Sequence, residues 1–450
     1  MIRMQLDEAA RIAGAEARGG AVAFRGVCMH SGRVEAGNLF LALPGNRVHG
    51  VEFAAEARAR GAVAMLSDRL LDEDWPQLHH PRPVEALGRL ASHWRRRLPV
   101  RVVGVTGSNG KTTVKNLLAA LLGRDGPTHA TGGNFNNELG LPLNLCRLAE
   151  DHRWAVLEMG AGRPGDIATL CGLARPEVGV ITNASAAHLA GMGSVDQVVE
   201  TKGELVEALP EHGVAVLNAD DRAFPKWCRR AAGRRVVSFG TASDADVRVL
   251  PAGPGQLRLA WGQQHWQLPF RLQGEHNRMN VAAAAAACVA LELELADLLP
   301  VLSRVDAEPG RLQPRRRKDG LLVVDDSYNA NPASARMAVA SLMQLEVAGR
   351  RHLVMGEMAE LGPDSTTLHR SLGAHARQAG VDGLWCLGGR DAAAMRSGFG
   401  EGEGGVFDDC GTLVAALSQA LQPQDAVLVK GSRCMGMERV VEALLEVESC

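Results

Sequence analysis

The sequence predicts a three-domain protein of the α/β class: an N-terminal α/β domain, a central domain with a mostly parallel sheet, and a Rossmann-like C-terminal domain. Between about residues 84 and 311, short apolar runs alternate with helical patterns, which is typical of a parallel sheet wrapped by helices. The same alternation restarts after the Pro-Gly-Arg sequence at residues 309–311. We therefore predict domains at residues 1–83, 84–311 and 312–450.

The N-terminal and C-terminal domains differ in their patterns. The first holds short strand-like pieces at residues 21–24, 39–42 and 62–66, and it ends at a Pro-Arg-Pro sequence, residues 81–83, that is typical of a linker. The last is more regular. Its predicted strands lie at residues 321–324, 352–355, 384–387 and 426–429, and its predicted helices at residues 334–345, 368–378 and 437–445.

Composition excludes several classes of protein. The formal net charge of the 450 residues is −2, so there is no electrostatic reason to expect nucleic acid or an anionic membrane as partner. No stretch approaches the roughly 18 apolar residues of a membrane span, and acidic residues occupy the N-terminus where a signal peptide needs an apolar segment. Nine cysteines without a Cys-x-x-Cys pair favour reduced, mostly buried thiols over a zinc site or disulfides. We expect a cytoplasmic protein.

A glycine-rich turn, Thr-Gly-Ser-Asn-Gly-Lys-Thr-Thr, follows the apolar residues 100–105. Its glycines let the backbone turn N–H groups onto a phosphate, Lys111 can reach the β- and γ-phosphate oxygens, and the Thr112 hydroxyl is placed to bind Mg²⁺. The usual motif begins with glycine where this chain has Val105, but helical spacing resumes at once. We therefore prefer a nucleotide site to a glycine-rich turn that binds nothing. Its residues are Gly107, Ser108, Asn109, Gly110, Lys111, Thr112 and Thr113.

Lysine is scarce in this chain. Arginine outnumbers lysine 43 to 6, so each lysine is a candidate for a position that needs a compact ammonium or a free amine, which a guanidinium cannot replace. Lys111 and Lys202 are two such candidates. On its position alone, however, Lys202 is better explained as a surface lysine on the helix after Val195, paired with Glu204 or Glu207.

Polar residues follow two buried strands of the predicted central sheet. Glu158 comes directly after residues 154–157, and a carboxylate at this edge, near the phosphate loop, suits Mg²⁺. Residues 178–181 form the next strand and lead through Asn183 to His188. A loop histidine is usually only a solvated or hydrogen-bonded side chain, but its place after a third strand of the same sheet makes His188 a second candidate.

Two further polar clusters lie near predicted helix starts. Asn277 and Asn280 share one face of a helix, where their amides could read a nucleobase edge. Capping of that helix by Asn277 is the alternative, and the spacing alone favours it. In the last domain, residues 325–332 carry a run of hydrogen-bonding side chains that is long for an ordinary Asx-rich turn.

Together these segments resemble the Mur ligase family of ATP-dependent amide-forming enzymes. The run Asp-Ser-Tyr-Asn-Ala-Asn-Pro at residues 326–332 discriminates within the family. It is similar to the form in ligases that add D-alanyl-D-alanine, whereas ligases that add the third peptide residue typically have Asp-Tyr-Ala-His there. The resemblance covers nearly the whole chain through residues 104–113, 133–142, 158–161, 183–188, 201–204, 276–280, 309–311, 326–332, 356–362 and 430–433.

The resemblance implies an enzyme of cytoplasmic peptidoglycan precursor synthesis, and hence of cell wall biogenesis, cell shape and the cell division cycle. Its substrates would be UDP-N-acetylmuramoyl-tripeptide, D-alanyl-D-alanine and ATP, and the amide would form through an acyl phosphate. The first domain would hold the UDP end of the substrate, the central domain would be the ATPase, and the last domain would close over ATP. We expect a monomer that binds no nucleic acid and has no membrane span.

The resemblance also implies roles for single residues. Lys111 would contact the ATP phosphates, and Thr112 and Glu158 would hold one Mg²⁺. His188 would help to hold a second Mg²⁺. Lys202 would carry a carbamate, formed with CO₂, that takes part in the metal site, so Lys111, His188 and Lys202 would be the catalytic residues. The remaining ATP contacts would be Asn280, Arg311, Asp326, Asn329 and Asn331.

The first domain departs from the family pattern in two places. The family usually has Asp-Ser-Arg before a Val-x-x-Gly-x-Leu-Phe stretch, and this chain has His-Ser-Gly at residues 30–32. Where the family often shows Asp-Gly-His-x-Phe, this chain has His-Gly-Val-Glu-Phe at residues 49–53. The departures concern the contacts with the UDP-sugar rather than the fold.

Two other classes of function compete with this interpretation. One is another enzyme on the same scaffold, such as folylpolyglutamate synthetase or the third-residue Mur ligase. The roughly 100 residues before the phosphate loop and the 326–332 run disfavour it. The other is a non-catalytic ATP-binding relative, which is disfavoured by the joint presence of Lys111, Thr112, Glu158, His188 and Lys202.

Overall fold

The chain forms four β-sheets with helices packed around them. The computed structural model describes residues 1–186, 189–253 and 255–446. Sheets of two and five strands lie in the first part of the chain, a nine-stranded sheet lies in the central part, and a six-stranded sheet lies in the last part. Most neighbouring strands in the three larger sheets are parallel, which confirms the predicted class. None of the described helices is long and apolar enough to cross a membrane.

The elements of the first part are β1 (Arg3–Gln5), α1 (Leu6–Ala13), β2 (Glu16–Arg18), β3 (Ala23–Arg25), β4 (Val27–Cys28), β5 (Leu39–Ala42), α2 (Ala54–Ala59), β6 (Ala64–Ser67), β7 (Gln77–His79) and α3 (Pro83–Arg96). The five-stranded sheet has the order β2-β7-β6-β5-β4, and only β2 is antiparallel to its neighbour. β1 and β3 pair separately. The strand predicted at residues 39–42 is confirmed, and the other two begin two residues later than predicted.

One hydrophobic core joins the first part to the central sheet. Leu66 of the first sheet, Leu87 and Leu90 of α3, and Leu157 of the central sheet are buried in the same cluster. Helix α3 begins at Pro83, which fits the first turn of a helix because that position needs no N–H donor. The Pro-Arg-Pro sequence therefore leads directly into a packed helix and is not a spacer between separate cores.

The central elements are β8 (Arg101–Thr106), α4 (Lys111–Leu122), β9 (Thr128–Ala130), α5 (Gly140–Arg147), β10 (Trp154–Glu158), α6 (Asp166–Ala174), β11 (Val178–Ile181), α7 (Leu189–Met192), α8 (Val195–Glu207), β12 (Val214–Asn218), α9 (Phe224–Arg230), β13 (Arg235–Gly240), β14 (Val247–Leu250), β15 (Gln256–Trp261), β16 (Gln264–Pro269), α10 (Glu275–Ala290) and α11 (Leu295–Leu298). The sheet order is β16-β15-β14-β13-β12-β11-β8-β10-β9. The chain therefore changes sides around β8, and such a switch leaves a crevice at the carboxyl edge of the sheet.

The last elements are β17 (Gln313–Arg316), β18 (Leu322–Asp326), α12 (Pro332–Met343), β19 (Arg351–Gly356), α13 (Ser365–Ala379), β20 (Gly383–Leu387), α14 (Arg390–Phe399), β21 (Glu403–Phe407), α15 (Cys410–Ala420), β22 (Ala426–Lys430) and α16 (Glu438–Glu446). The order β17-β18-β22-β19-β20-β21 is parallel except at β17. All seven elements predicted in this part are present. The sequence pattern missed β17, α14, β21 and α15; β17 and β21 contain no buried residue, so they lack the apolar run that marks the other strands.

The cysteines fit the predicted reduced state. The eight in the described part of the chain are free. Four of them are buried, three are half-buried and Cys434 is exposed, so the expectation of mostly buried thiols holds for half of them.

Candidate active site

The phosphate loop lies between β8 and α4, at the carboxyl edge of the central sheet. Gly107 and Gly110 have φ angles of +153° and +81°, and α4 begins at Lys111. A Cβ atom at Gly110 would lie 2.3 Å from Asn280 Oδ1, so a glycine is required there. Lys111 Nζ donates to the Gly107 carbonyl at 2.8 Å. Burial lowers the pKa of Lys111, and the nearby Glu158 carboxylate partly opposes that shift.

The segment after β11 holds the phosphate loop in place. Asn183 Oδ1 accepts from the Asn109 backbone N–H at 3.0 Å, and Asn183 Nδ2 donates to the Asn109 carbonyl at 3.1 Å. Thr182 Oγ1 donates to the same carbonyl at 2.6 Å. Asn183 therefore fixes the backbone of the loop, a role that its place between β11 and His188 did not indicate. His188 itself lies outside the described residues.

Glu158, the last residue of β10, is held at three points. Its Oε2 accepts from the Thr112 hydroxyl at 2.7 Å, and its Oε1 accepts from Asn136 Nδ2 at 2.7 Å. Its backbone N–H donates to Thr131 Oγ1 at 3.0 Å. The carboxylate and the hydroxyl are the hard oxygen donors that Mg²⁺ prefers, so the pair fits this ion. Across residues 1–186, 189–253 and 255–446, no three His, Cys, Asp or Glu side chains converge as a metal-binding group.

Lys202 is a buried residue of α8 and not a surface lysine. Only 3% of it is exposed, and burial, together with the positive charge of Lys111, lowers its pKa well below the ordinary value. Glu204 instead accepts from two backbone N–H groups around the start of α6, and Glu207 pairs with Arg230 at 2.7 Å. The surface ion pairs that the spacing of Lys202 favoured are therefore wrong.

The start of α10 presents two amides to the phosphate loop. The helix cap is Gly274, without a side-chain hydrogen bond, so capping by Asn277 is wrong. Asn277 Nδ2 donates to the Gln273 carbonyl at 2.7 Å, and its Oδ1 accepts from Asn280 Nδ2 at 2.9 Å. Both asparagines are buried. Asn277 therefore orients Asn280, whose side chain lies against the loop.

The C-terminal part contacts the phosphate loop directly. Arg311 Nη2 donates to the Thr112 hydroxyl at 2.8 Å, and the Arg311 guanidinium lies 4.2 Å from the ring centroid of Tyr328. Asn331 Nδ2 donates to Asn109 Oδ1 at 2.8 Å, while its Oδ1 caps α12. Asn331 thus caps α12, as a residue of an ordinary Asx-rich turn would, and it also bonds to the phosphate loop.

A buried ion pair lies at the ends of two neighbouring strands of the last sheet. Lys430 Nζ, at the end of β22, donates to Asp326 Oδ2 at 2.7 Å and to the Asn329 carbonyl at 2.8 Å. Burial raises the pKa of Asp326, and Lys430 opposes that shift. His276 of α10 lies near this pair. Burial, with the charge of Lys430, lowers the pKa of His276 to about 4, so its imidazole is neutral at pH 7.

A cavity of about 810 Å³ lies between the central sheet and the last domain. Apart from His188, every residue that the sequence predicted for the site lines it: Gly107, Ser108, Asn109, Gly110, Lys111, Thr112, Thr113, Glu158, Lys202, Asn280, Arg311, Asp326, Asn329 and Asn331. The sequence analysis gave no separate role to Asn136, His276, Tyr328 and Lys430, which line it too. Their only signal was membership of the motifs that carry the family resemblance.

His49, one of the departures in the first domain, has a structural role. It is buried, its Nδ1 accepts from the Val51 backbone N–H at 3.2 Å, and its Nε2 lies 2.9 Å from Asp68 Oδ1. It therefore caps the short 3₁₀ helix Gly50–Phe53 as an aspartate would. His30, the other departure, is exposed.

Three family models match successive parts of the chain. The Mur ligase family, catalytic domain, matches residues 23–95, and the Mur ligase middle domain matches residues 105–288. The Mur ligase, glutamate ligase domain, matches residues 310–433. The chain belongs to the Mur ligase family.

Curated relatives are similar over more than nine tenths of this chain. A UDP-N-acetylmuramoyl-tripeptide–D-alanyl-D-alanine ligase of Escherichia coli K12 is 38% identical and is covered, like this chain, over 100% of its length. The enzymes of the same name from Synechocystis and Bacillus subtilis are 34% and 32% identical, over 93% and 94% of this chain and 91% and 93% of theirs.

Solved structures of Mur ligases share the fold. A crystal structure of MurF from Acinetobacter baumannii has a TM-score of 0.91 at 30% identity, over 99% of this chain and 100% of that one. MurF from Thermotoga maritima in complex with ADP has a TM-score of 0.83 at 30% identity, over 94% and 97% of the two chains.

Proposed function

We propose that this Mur ligase joins D-alanyl-D-alanine to UDP-N-acetylmuramoyl-tripeptide, using ATP, in the synthesis of peptidoglycan precursors. The names of the relatives from three bacteria support both substrates, because each relative is matched over more than nine tenths of its length. The ADP bound by the Thermotoga maritima enzyme supports ATP as the third substrate. The enzyme is therefore an ADP-forming acid–amino acid ligase.

The observation that carries this proposal is the convergence of two distant segments on one phosphate loop. Lys111 belongs to the loop, Arg311 bonds to Thr112, and Asn331 bonds to Asn109. We assign the ATP phosphates to the loop and Lys111. Asn280, Arg311, Asp326, Asn329 and Asn331 contact the rest of the nucleotide in this proposal.

The proposed chemistry follows from these positions. A carboxylate and an amine do not condense appreciably in water, so the terminal carboxylate of the tripeptide first takes the γ-phosphoryl group. Lys111 and Arg311 stabilise the charge that develops during this transfer. The amine of the dipeptide then attacks the acyl phosphate and displaces phosphate. Closure of the last domain over the cavity excludes the water that would hydrolyse this intermediate.

Mg²⁺ is assigned to the Thr112 hydroxyl and the Glu158 carboxylate, which are hydrogen-bonded to each other at 2.7 Å. When bound there, the ion supplies positive charge that neutralises the phosphate oxygens. His188 is the proposed additional ligand for a second ion.

Lys202 is proposed to carry a carbamate. Its lowered pKa leaves more of its amine uncharged at neutral pH, which is the form that adds to CO₂. The addition would replace a cation beside Lys111 by an anion with two oxygens. That change suits a cation site at Glu158, because the Lys111 and Lys202 side chains that line the same cavity both carry amines.

Three coarser assignments complete the proposal. Residues 1–83 would hold the UDP end of the substrate, residues 84–311 would bind ATP, and residues 312–450 would close over it. The enzyme would act as a monomer in the cytoplasm, where the nucleotide-linked substrates are made. Its activity would serve cell wall biogenesis and thereby cell shape and division.

Phosphate release tests the proposed substrates. The purified protein is incubated with ATP, Mg²⁺, UDP-N-acetylmuramoyl-tripeptide and D-alanyl-D-alanine, and each component is omitted in turn. We expect release that needs both the tripeptide nucleotide and the dipeptide, with the ligated product identified by mass spectrometry. Free D-alanine in place of the dipeptide serves as the matched control and should not support turnover. Equal turnover with L-lysine or diaminopimelate on a UDP-muramoyl-dipeptide would instead assign the third-residue activity.

A further inference from the structure

Lys115 is a buried lysine to which the proposed chemistry gives no role. It lies one helical turn after Lys111 in α4, and only 6% of it is exposed. Its Nζ donates to a backbone carbonyl, that of Thr131, at 2.9 Å. An ammonium is costly to bury, so a position that keeps one in the interior needs a compensating environment.

Thr131 connects this lysine to Glu158. It lies directly after β9, its backbone N–H donates to the Val156 carbonyl at 3.0 Å, and its hydroxyl accepts from the Glu158 backbone N–H at 3.0 Å. Lys115 therefore holds the carbonyl of the residue whose hydroxyl holds the backbone of Glu158.

The loop that begins at Thr131 also holds the Glu158 side chain. Asn136 Nδ2 donates to Glu158 Oε1 at 2.7 Å, and the Asn136 carbonyl accepts from the Gly160 N–H at 2.8 Å. The loop thus meets Glu158 at its backbone and at the carboxylate oxygen that faces away from Thr112. A shift of the loop would turn the carboxylate.

Two nearby carboxylates favour the charged form of Lys115. Burial lowers the pKa of this lysine, and the carboxylates of Glu158 and Glu308 oppose the shift. An ammonium can make one short bond to a carbonyl in a narrow space, whereas a planar guanidinium needs a wider one. The chain has 43 arginines and only 6 lysines. A buried lysine at position 115 therefore indicates that this position needs an ammonium and not a guanidinium.

We infer that Lys115 is a positioning residue for the cation site: it fixes the 131–136 loop and, through it, the orientation of the Glu158 carboxylate toward Thr112. The inference rests on the proposed function, because it concerns the divalent cation that accompanies the nucleotide. Partners of a metal ligand commonly change metal affinity about 10- to 100-fold when they are removed.

The test measures cation binding directly. Mn²⁺ is titrated into the protein with bound ADP and followed by electron paramagnetic resonance, for the wild type and for Lys115→Met and Lys115→Arg. We expect Mn²⁺ to bind about tenfold more weakly to both variants. The Mg²⁺ concentration that gives half-maximal phosphate release should rise in parallel. The matched control is Lys226→Met, which removes a surface lysine paired with Glu200 and should change neither value.

Two outcomes would overturn the inference. A folded Lys115→Met protein whose Mn²⁺ affinity stays within twofold of the wild type, even with a lower melting temperature, would make Lys115 only a structural residue. If Lys115→Met does not fold, Mn²⁺ affinity is measured for Thr131→Val instead. This substitution removes the hydroxyl that accepts from the Glu158 backbone and keeps the side-chain shape. Normal Mn²⁺ affinity of that variant would equally reject the inference. A wild type that fails to ligate its substrates would count against the proposed function instead.

Discussion

At the residue scale, lysine marks the site. Most basic residues of this chain are arginines, with 43 arginines against 6 lysines. Three lysines line the cavity and a fourth is buried beside it, one turn farther along α4. The explanation is chemical, since an ammonium is compact and its amine can lose a proton, and a guanidinium offers neither property. These four are Lys111, Lys115, Lys202 and Lys430, while Lys226 and Lys318 lie elsewhere.

The carbamate proposal predicts the behaviour of two substitutions at Lys202. Lys202→Arg keeps the positive charge but cannot carry CO₂ in the same way, so we expect a folded protein that loses about 100-fold or more in phosphate release. Lys202→Ala should regain part of its activity with a small added carboxylate such as acetate, which can occupy the vacated space. Lys226→Arg is the control for a tolerated exchange. Near-normal turnover of Lys202→Arg would reject the role of Lys202 as a bridging anion.

Gly110 allows a second prediction at this scale. An added Cβ would lie 2.3 Å from Asn280 Oδ1, and the φ of +81° costs about 1–2 kcal/mol for other residues. We expect Gly110→Ala to fold and to bind ATP at least about tenfold more weakly, as measured by isothermal titration calorimetry. Gly233→Ala is the matched control, because Gly233 has φ +86° with nothing within 4 Å of its Cβ position. If Gly110→Ala binds ATP as tightly as Gly233→Ala does, the close contact with Asn280 does not limit ATP binding.

At the element scale, the ends of β18 and β22 act together. The two strands are parallel neighbours, and their pairing places Asp326 opposite Lys430. Lys430→Met would leave a buried carboxylate without its partner, which typically costs about 3–5 kcal/mol of folding free energy. We expect a lower melting temperature and weaker ATP binding, because the Asn329 carbonyl also loses its donor.

A double substitution separates these two effects. Asp326→Asn combined with Lys430→Met removes both charges, so the melting temperature should recover most of the loss while ATP binding stays weak. Recovery of ATP affinity together with stability would mean that the pair supports the fold alone.

The first residue of α10 determines whether Asn277 can cap this helix. The helix begins at Glu275, so Asn277 lies inside the first turn and Asn280 one turn farther. Spacing fixed the shared face of the two residues correctly. It left the first residue of the helix open, and that residue decides whether an asparagine caps the helix or projects from it.

At the scale of the whole molecule, the proposed ATP contacts lie on both the central part and the last part of the chain. Asn331 of the last domain bonds to Asn109 in the phosphate loop of the central domain, and we predict a hinge between the two domains near residues 309–314. We expect a non-hydrolysable ATP analogue plus the tripeptide nucleotide to favour this compact arrangement in solution. Small-angle scattering should then show a smaller radius of gyration than for the protein without ligands.

The single tyrosine provides a second readout of the same closure. Tyr328 stacks on Arg311, and incorporation of 3-fluorotyrosine labels this one position in the chain. Its ¹⁹F resonance should shift when the analogue and substrate bind. The control repeats the measurement with the same analogue on the Arg311→Ala variant. That variant lacks the guanidinium that links Tyr328 to the phosphate loop. Unchanged scattering and an unchanged resonance on ligand binding would argue for a permanently closed molecule.

The sequence by itself determined the class of the fold and most of the residues that line the candidate site. The phosphate loop, Glu158 and the 326–332 run were visible as local patterns, because glycine turns, buried strands and motif order are encoded by near neighbours in the chain. For Lys202 the local pattern favoured a surface lysine, and only the family resemblance implied a role. The regular strands of the last domain were equally visible.

The tertiary structure alone decided which of these residues meet and what supports them. Asn331 bonds to Asn109 across 222 positions of the chain, and Arg311 bonds to Thr112 across 199. The burial of Lys202, the pairing of Lys430 with Asp326 and the route from Lys115 to Glu158 likewise depend on which helices and strands pack together. Burial and charge act through space, and periodicity along one segment carries no record of the residues that another segment places against it.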